Sequence, residues 1–126
     1  MTRYVLDTSF VIDHLRGDPS AIERFDRIFE QGDQAVVNEV VACEAWTGAL
    51  VEGDPALRAL LEAVEFVQPG PGAAERAGRW RHQARQRGRV LSLSDALIAA
   101  AAAGDATVLT RNLRDFDLTP VRIETY

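Results

Sequence analysis

The sequence predicts an α/β protein, a parallel β-sheet sandwiched between α-helices. Three observations predict it. Short apolar runs of strand length alternate with longer stretches of helical periodicity, so each strand must cross over a helix before it pairs in parallel. Asp18-Pro19 and Asp54-Pro55 each open a helix, the aspartate capping it and the proline taking its first position. Gly17, Gly32, Gly53 and Gly88 stand where the periodic stretches stop.

Taken in order, residues 3–6 read as a buried strand and a helix follows to about residue 16. In the helix that Asp18 caps, Ile22, Phe25, Ile28 and Phe29 recur at helical spacing, and residues 34–38 make a second strand. A third helix is expected over 39–52. A fourth starts at Pro55 and carries Leu57, Leu60 and Leu61, with a brief strand at 66–67. The PGPG of residues 69–72 breaks regular structure before the longest helix, 73–87. A helix over 94–103 with Ser94 as its cap, a strand at 107–110 and a last strand at 121–124 complete a single domain, 1–126.

Composition narrows the function. At 126 residues and 47% hydrophobic, one domain should bury roughly two-thirds of its unfolded surface. No stretch approaches the roughly 20 apolar residues of a membrane span, and Asp7 arrives before a signal-peptide hydrophobic region can form, so a cytoplasmic location is expected. Cys43, the only cysteine, forms no internal disulfide or thiolate site and is expected to fill core space. His14 and His82 lie too far apart for zinc spacing and are expected at the surface or in packing. All fourteen basic residues are arginine, which excludes Schiff-base and P-loop lysine chemistry. The net charge is −5, yet six of those arginines fall between Arg76 and Arg89.

Four carboxylates sit where a core would not put them. Asp7 interrupts VLDTSFVID, and DTS taken alone is an adequate helix cap. Glu44 shares a helical face with Val40, Val41 and Val51, and a carboxylate buried there needs an arginine, a proton or a cation. Asp95 occupies the first turn of a helix whose alanine run permits close packing. Asp115 lies just past a strand in VLTRNLRDF, with Thr110 and Asn112 beside it and Asp117 competing for the same role. Three of the four follow a strand or apolar segment and Glu44 faces the core, so a parallel sheet would bring them together beyond its carboxyl ends. Carboxylates about 4 Å apart repel by about 4 kcal/mol per pair at an effective dielectric near 20. A cation relieves that repulsion, and ligands that are all oxygen suit magnesium or manganese.

These stretches, VLDTSFVIDHLRG, NEVVACEAW, LSLSDALIAAAA and VLTRNLRDF, resemble in order, spacing and context the four acidic motifs of PIN domains. A short PIN domain of this length looks like the VapC-type toxin of bacterial toxin–antitoxin pairs. The resemblance implies a Mg2+- or Mn2+-dependent endoribonuclease whose metal-binding and catalytic acids are Asp7, Glu44, Asp95 and Asp115. Thr8 or Ser9, Thr110 and Asn112 would be supporting polar groups. It further implies a homodimer, an RNA substrate and a cognate antitoxin protein. One or two ions would activate a water for in-line attack on a phosphodiester, with Asp95 or Asp115 steering it and no covalent nucleophile. Asp13 belongs to the outer helix and falls outside the ligand set.

RAGRWRHQARQRGR is expected to read the RNA backbone through Arg81, Arg85 and Arg89, whose forks match phosphate oxygens. Trp80 and Trp46 are expected in the core. Aspartyl phosphotransferases and receiver-type signalling modules fail because their lysine is absent, and the former also want a second aspartate where Ser9 stands. A housekeeping PIN nuclease and a catalytically inactive metal- or partner-binding module are the alternatives.

Overall fold

The fold is seen in a computed structural model that describes residues 1–48, 54–68, 70–102 and 104–126. The apolar runs become β1 (Arg3–Leu6), β2 (Gln34–Asn38), β3 (Glu65–Val67), β4 (Thr107–Leu109) and β5 (Arg122–Glu124). They form one parallel sheet in the order β3-β2-β1-β4-β5. Successive residues of β1, β2 and β4 are buried, so both faces of the central sheet are covered. The edge strands β3 and β5 are largely exposed.

The helices between the strands are α1 (Thr8–Leu15), α2 (Pro19–Glu30), α3 (Glu39–Gly48), α4 (Pro55–Ala63), α5 (Gly70–Gln86), α6 (Leu93–Ala100) and α7 (Leu113–Phe116). Local chemistry sets most of their starts. Asp18 accepts from the amides of Ser20 and Ala21, and Asp54 from those of Ala56 and Leu57, each with a proline in the first turn. Gly17 and Gly32 end α1 and α2 at φ of 82° and 73°, a left-handed conformation that a β-carbon disfavours.

The elements differ from expectation at several points, and α6 stops at Ala100 short of the expected 103. α5 begins at Gly70 and not after PGPG, because Pro71 in a first turn gives up an amide that has no helical partner anyway. The cap of α6 is Ser92, whose hydroxyl accepts from the Asp95 amide at 3.1 Å, and not Ser94. α7 is a four-residue helix, too short to show periodicity, between the expected strands at 107–110 and 121–124. The expected helical residues 49–52, with Val51, and the expected stop Gly53 lie outside the described residues, as do Pro69 and Ala103.

The main core joins Val5, Leu6, Val36, Val37, Val108 and Leu109 of the sheet to Phe10, Ile28, Leu57 and Phe116. A smaller cluster lies between Ala73, Ala77 and Ala84 of α5 and Ala96 and Ala100 of α6; small side chains there let the two helices pack closely. Trp80 packs against both clusters, whereas Trp46 is half-buried beneath Arg58. Cys43 is exposed, because α3 turns Val41, Ala42 and Ala45 inward instead. On α2 the buried stripe is Ala21, Arg24, Phe25 and Ile28, leaving Ile22 and Phe29 exposed. Arg24 holds that inner position by lying 4.5 Å over the Tyr4 ring and donating to Glu124 Oε1 at 3.1 Å. His14 is half-buried with its ring 4.7 Å from that of Phe25, and His82 is exposed. Among the described residues no helix is long and apolar enough to cross a membrane.

Candidate active site

Chain direction across the sheet reverses between β1 and β4, because β2 and β3 add on one side of β1 and β4 and β5 on the other. Such a reversal opens a crevice beyond the carboxyl ends of the two strands. Asp7 follows the last residue of β1 and Thr110 the last of β4, and the Thr110 hydroxyl donates to Asp7 Oδ2 at 2.8 Å. Ser9 donates to the same oxygen at 2.8 Å, while the Thr8 amide donates to Oδ1 at 2.8 Å. The Asp7 amide itself donates to the Leu109 carbonyl at 3.1 Å. Asp7 is thus both helix cap and clamped, buried acid.

Burial pushes the Asp7 carboxyl above the usual aspartate range, the hydroxyls of Thr110 and Ser9 and the Thr8 amide draw it back, and Glu44 adds repulsion. Glu44 Oε1 accepts from the Thr8 hydroxyl at 2.6 Å. Neighbouring hydroxyls on α1 therefore orient the two acids, Ser9 holding Asp7 and Thr8 holding Glu44. Glu44 is half-buried, contrary to the expectation of full burial, because with Val40 it lies at the border of the inward face of α3.

Asp95 is half-buried in the first turn of α6. Its carboxyl is pushed up to about 6, first by desolvation, partly offset by Ser92, and then by repulsion from Asp7, Asp115 and Glu44. All three other acids of the expected set thus act on Asp95. Asp115 is exposed on α7 and lines the same cleft as Asp95, whereas Asp117 lies 3.8 Å from Arg89 and is absent from that lining. The Thr110 hydroxyl also accepts from the Asn112 amide at 2.9 Å, so Asn112 supports the site through its backbone.

The acids do not form a tight knot. Among the described residues, no three His, Cys, Asp or Glu side chains stand close enough to hold one ion in common. Asp7 and Glu44 are each drawn toward their own hydroxyl donors. In donor chemistry the site still fits a hard divalent cation: its acids are carboxylates alone, and the raised Asp95 carboxyl marks a field that a positive charge would relieve.

Of the expected RNA-reading arginines, Arg81 spends its Nε on the Leu91 carbonyl at 3.1 Å, Arg85 is exposed, and Arg89 borders the Asp95 cleft. Sequence reasoning passed over three contributors. Asn38 is fully buried, caps α3 through Val40 and Val41, and donates to the Leu97 carbonyl at 3.1 Å, tying the helix of Glu44 to that of Asp95. An asparagine between a strand and a helix was the available signal. Arg111 bridges Asp13 at 3.5 Å and Asp18 at 2.7 Å and lies over Tyr126, whose hydroxyl donates to Asp13. Arg114, in the cleft, carried no signal beyond its neighbour Asp115.

A five-stranded parallel sheet with acids at its switch point describes a known class of fold. The model of the PIN domain matches residues 4–120, and the chain belongs to the PIN-domain family. Within it the chain stands with the VapC type: it is 32% identical over 117 residues to Ribonuclease VapC19 of Mycobacterium tuberculosis, covering 92% of this chain and 94% of that protein. The same fold occurs in VapBC2 from Rickettsia felis bound to a promoter DNA fragment, with a TM-score of 0.86 at 20% identity over 99% of both chains. VapBC-1 from nontypeable Haemophilus influenzae gives a TM-score of 0.82 at 24% identity over 98% of both chains.

Proposed function

We propose that this chain, acting as one domain over 1–126, is a Mg2+- or Mn2+-dependent endoribonuclease, the toxin of a toxin–antitoxin pair. The observation that carries the reading is the gathering of Asp7, Glu44, Asp95 and Asp115 around the switch point of the sheet, where desolvation first and then repulsion from the other three acids lift Asp95 to about 6. Similarity to Ribonuclease VapC19 and to the fold of VapBC complexes supports an RNA substrate and a cognate antitoxin, and a homodimer acting in the cytoplasm completes the reading.

Asp7, Glu44, Asp95 and Asp115 would supply the carboxylates for one or two ions; since no three of them stand close enough to share an ion as they are placed, binding would draw the side chains together or use bridging waters. Bound there, a divalent ion supplies a water of lowered pKa and stabilises the charge that develops on the phosphate. The chain's own contribution is preorganisation. Thr110, Ser9 and the Thr8 amide fix the Asp7 oxygens, and the Thr8 hydroxyl fixes Glu44. Asp95 or Asp115 would steer the attacking water. Of the arginines expected to meet the RNA backbone, Arg85 and Arg89 are exposed, whereas Arg81 gives its Nε to the Leu91 carbonyl and has only its terminal nitrogens to offer.

The test is cleavage of RNA by purified protein with magnesium, with manganese and with excess EDTA. EDTA should abolish cleavage, and Asp7→Asn and Glu44→Gln should each lower it at least about a hundredfold without unfolding the protein. Undiminished cleavage in EDTA, with contaminating nuclease excluded, would remove the metal mechanism. Growth arrest on expression of wild type but not of Asp7→Asn tests the toxin role.

A further inference from the structure

The cleft against Asp95 and Asp115 has a volume of about 340 Å³ and is lined also by Arg89, Val90, Ser92, Arg114 and Leu118. That is near the lower end of ligand pockets, roughly 300 to 1,000 Å³, and suits one nucleotide better than a length of strand. Its chemistry is mixed in a particular way. Two guanidiniums stand with two carboxylates, a lining that matches a phosphodiester next to a cation, whereas a site for a free anion would be basic alone.

The two arginines reach the cleft from different segments, Arg89 from the connection between α5 and α6 and Arg114 from α7. Other arginines of the basic stretch turn elsewhere: Arg76 to the Ala100 carbonyl, Arg81 to the Leu91 carbonyl and Arg79 along its own helix to Glu75 at 2.9 Å, while Arg85 and Arg87 are exposed and outside the cleft. Among the described residues Arg114 pairs with no carboxylate. Arg89 has only Asp117 at 3.8 Å, with both side chains exposed, a contact too weak to hold it from a better ligand. Beside them Val90 is 88% exposed, an apolar surface at the mouth of a charged cleft.

We propose that Arg89 and Arg114 form a clamp on one phosphate of single-stranded RNA, next to the phosphodiester presented to the acids, with Val90 against the attached nucleoside. The clamp rests on the ribonuclease reading and refines it. It makes Arg114 a substrate-positioning residue and sets Arg89, which grips substrate, apart from Arg76, Arg79 and Arg81, which turn to partners within the chain. The fork of a guanidinium binds two phosphate oxygens at once, which fixes the register of the strand as well as its affinity.

The experiment measures fluorescence anisotropy of a short labelled single-stranded RNA in EDTA, over a range of salt, for wild type, Arg89→Ala, Arg114→Ala and the control Arg79→Ala. Each clamp variant should bind about tenfold more weakly with its salt slope reduced by about 1, while Arg79→Ala matches wild type. A second series replaces one phosphate at a time by a neutral methylphosphonate. At one position wild type should fall to the affinity of Arg114→Ala, and the variant should lose nothing more. Wild-type affinity and slope in Arg114→Ala would overturn the clamp, as would an equal loss at every methylphosphonate position. Thermal unfolding of each variant guards against misfolding. Wild type that neither binds this RNA nor cleaves it with magnesium or manganese would instead defeat the ribonuclease reading.

Discussion

The two sides of the candidate site are built on opposite plans. On the β1 side, Asp7 is buried and accepts from Thr8, Ser9 and Thr110, and Glu44 is held by Thr8. On the α6–α7 side, Asp95 is half-buried, Asp115 is exposed, and both face an open cleft with two arginines. One side is fixed by hydrogen bonds before any ligand arrives; the other stores repulsion that only a ligand or a proton relieves. Preorganised acids give geometry, and under-compensated acids give a reason to bind.

Removing the clamp on the fixed side should have the largest effect. Thr110→Val deletes a donor to a buried carboxylate, so RNA cleavage should fall about 10- to 100-fold, as when a partner that orients a metal ligand is lost. Stability should fall by about 1 to 3 kcal/mol, read by urea unfolding, for the bond left unmade. Thr110→Ser keeps the hydroxyl and should recover most of both. An unaltered Thr110→Val enzyme would end the contrast between the two sides.

A smaller effect separates the two acids near α7. Asp115→Asn should slow cleavage about tenfold and Asp117→Asn by less than about twofold, because Asp115 lines the cleft and acts on Asp95 whereas Asp117 faces Arg89. Initial rates on one RNA decide it, and the reverse order moves the fourth acid to Asp117.

The finest test is the pH dependence of stability in EDTA. The folded protein holds the Asp95 proton up to about pH 6, against an ordinary value of 3.8. Between those values the native state binds more protons than the unfolded one, so stability contributed by protonated Asp95 is full below about pH 4 and is lost as pH rises toward 6. Urea midpoints of wild type should decline over that window, and Asp95→Asn should show a shallower decline and a higher midpoint near neutral pH. Asp7→Asn is the poorer probe, because with its amide oxygen accepting from Ser9 and Thr110 its NH2 group faces the Thr8 amide, donor against donor.

Much of this was legible without coordinates. Asp-Pro starts and glycine stops located α1, α2 and α4, since caps act within a few residues of themselves. Ser92 was misplaced by two residues because Ser92 and Ser94 have equal capping chemistry and only the backbone path chooses between them. The burial of Glu44 was overstated because helical periodicity gives the direction of a side chain but not where the covering neighbour ends.

The sequence by itself determined the parallel α/β plan and the order of four acids along it, because both follow from local periodicity and from the chemistry of residue types. Only the tertiary structure decided which acid is clamped. Thr110 reaches Asp7 across 103 residues of chain, and no local pattern announces that bond. Arg24, polar in any sequence scale, is buried because Tyr4 and Glu124 meet it there. Arg89 and Arg114 share a cleft because α6 and α7 pack at one end of the sheet. Environment, unlike propensity, is set by residues far away in sequence, and solvation and charge at a site are properties of that environment.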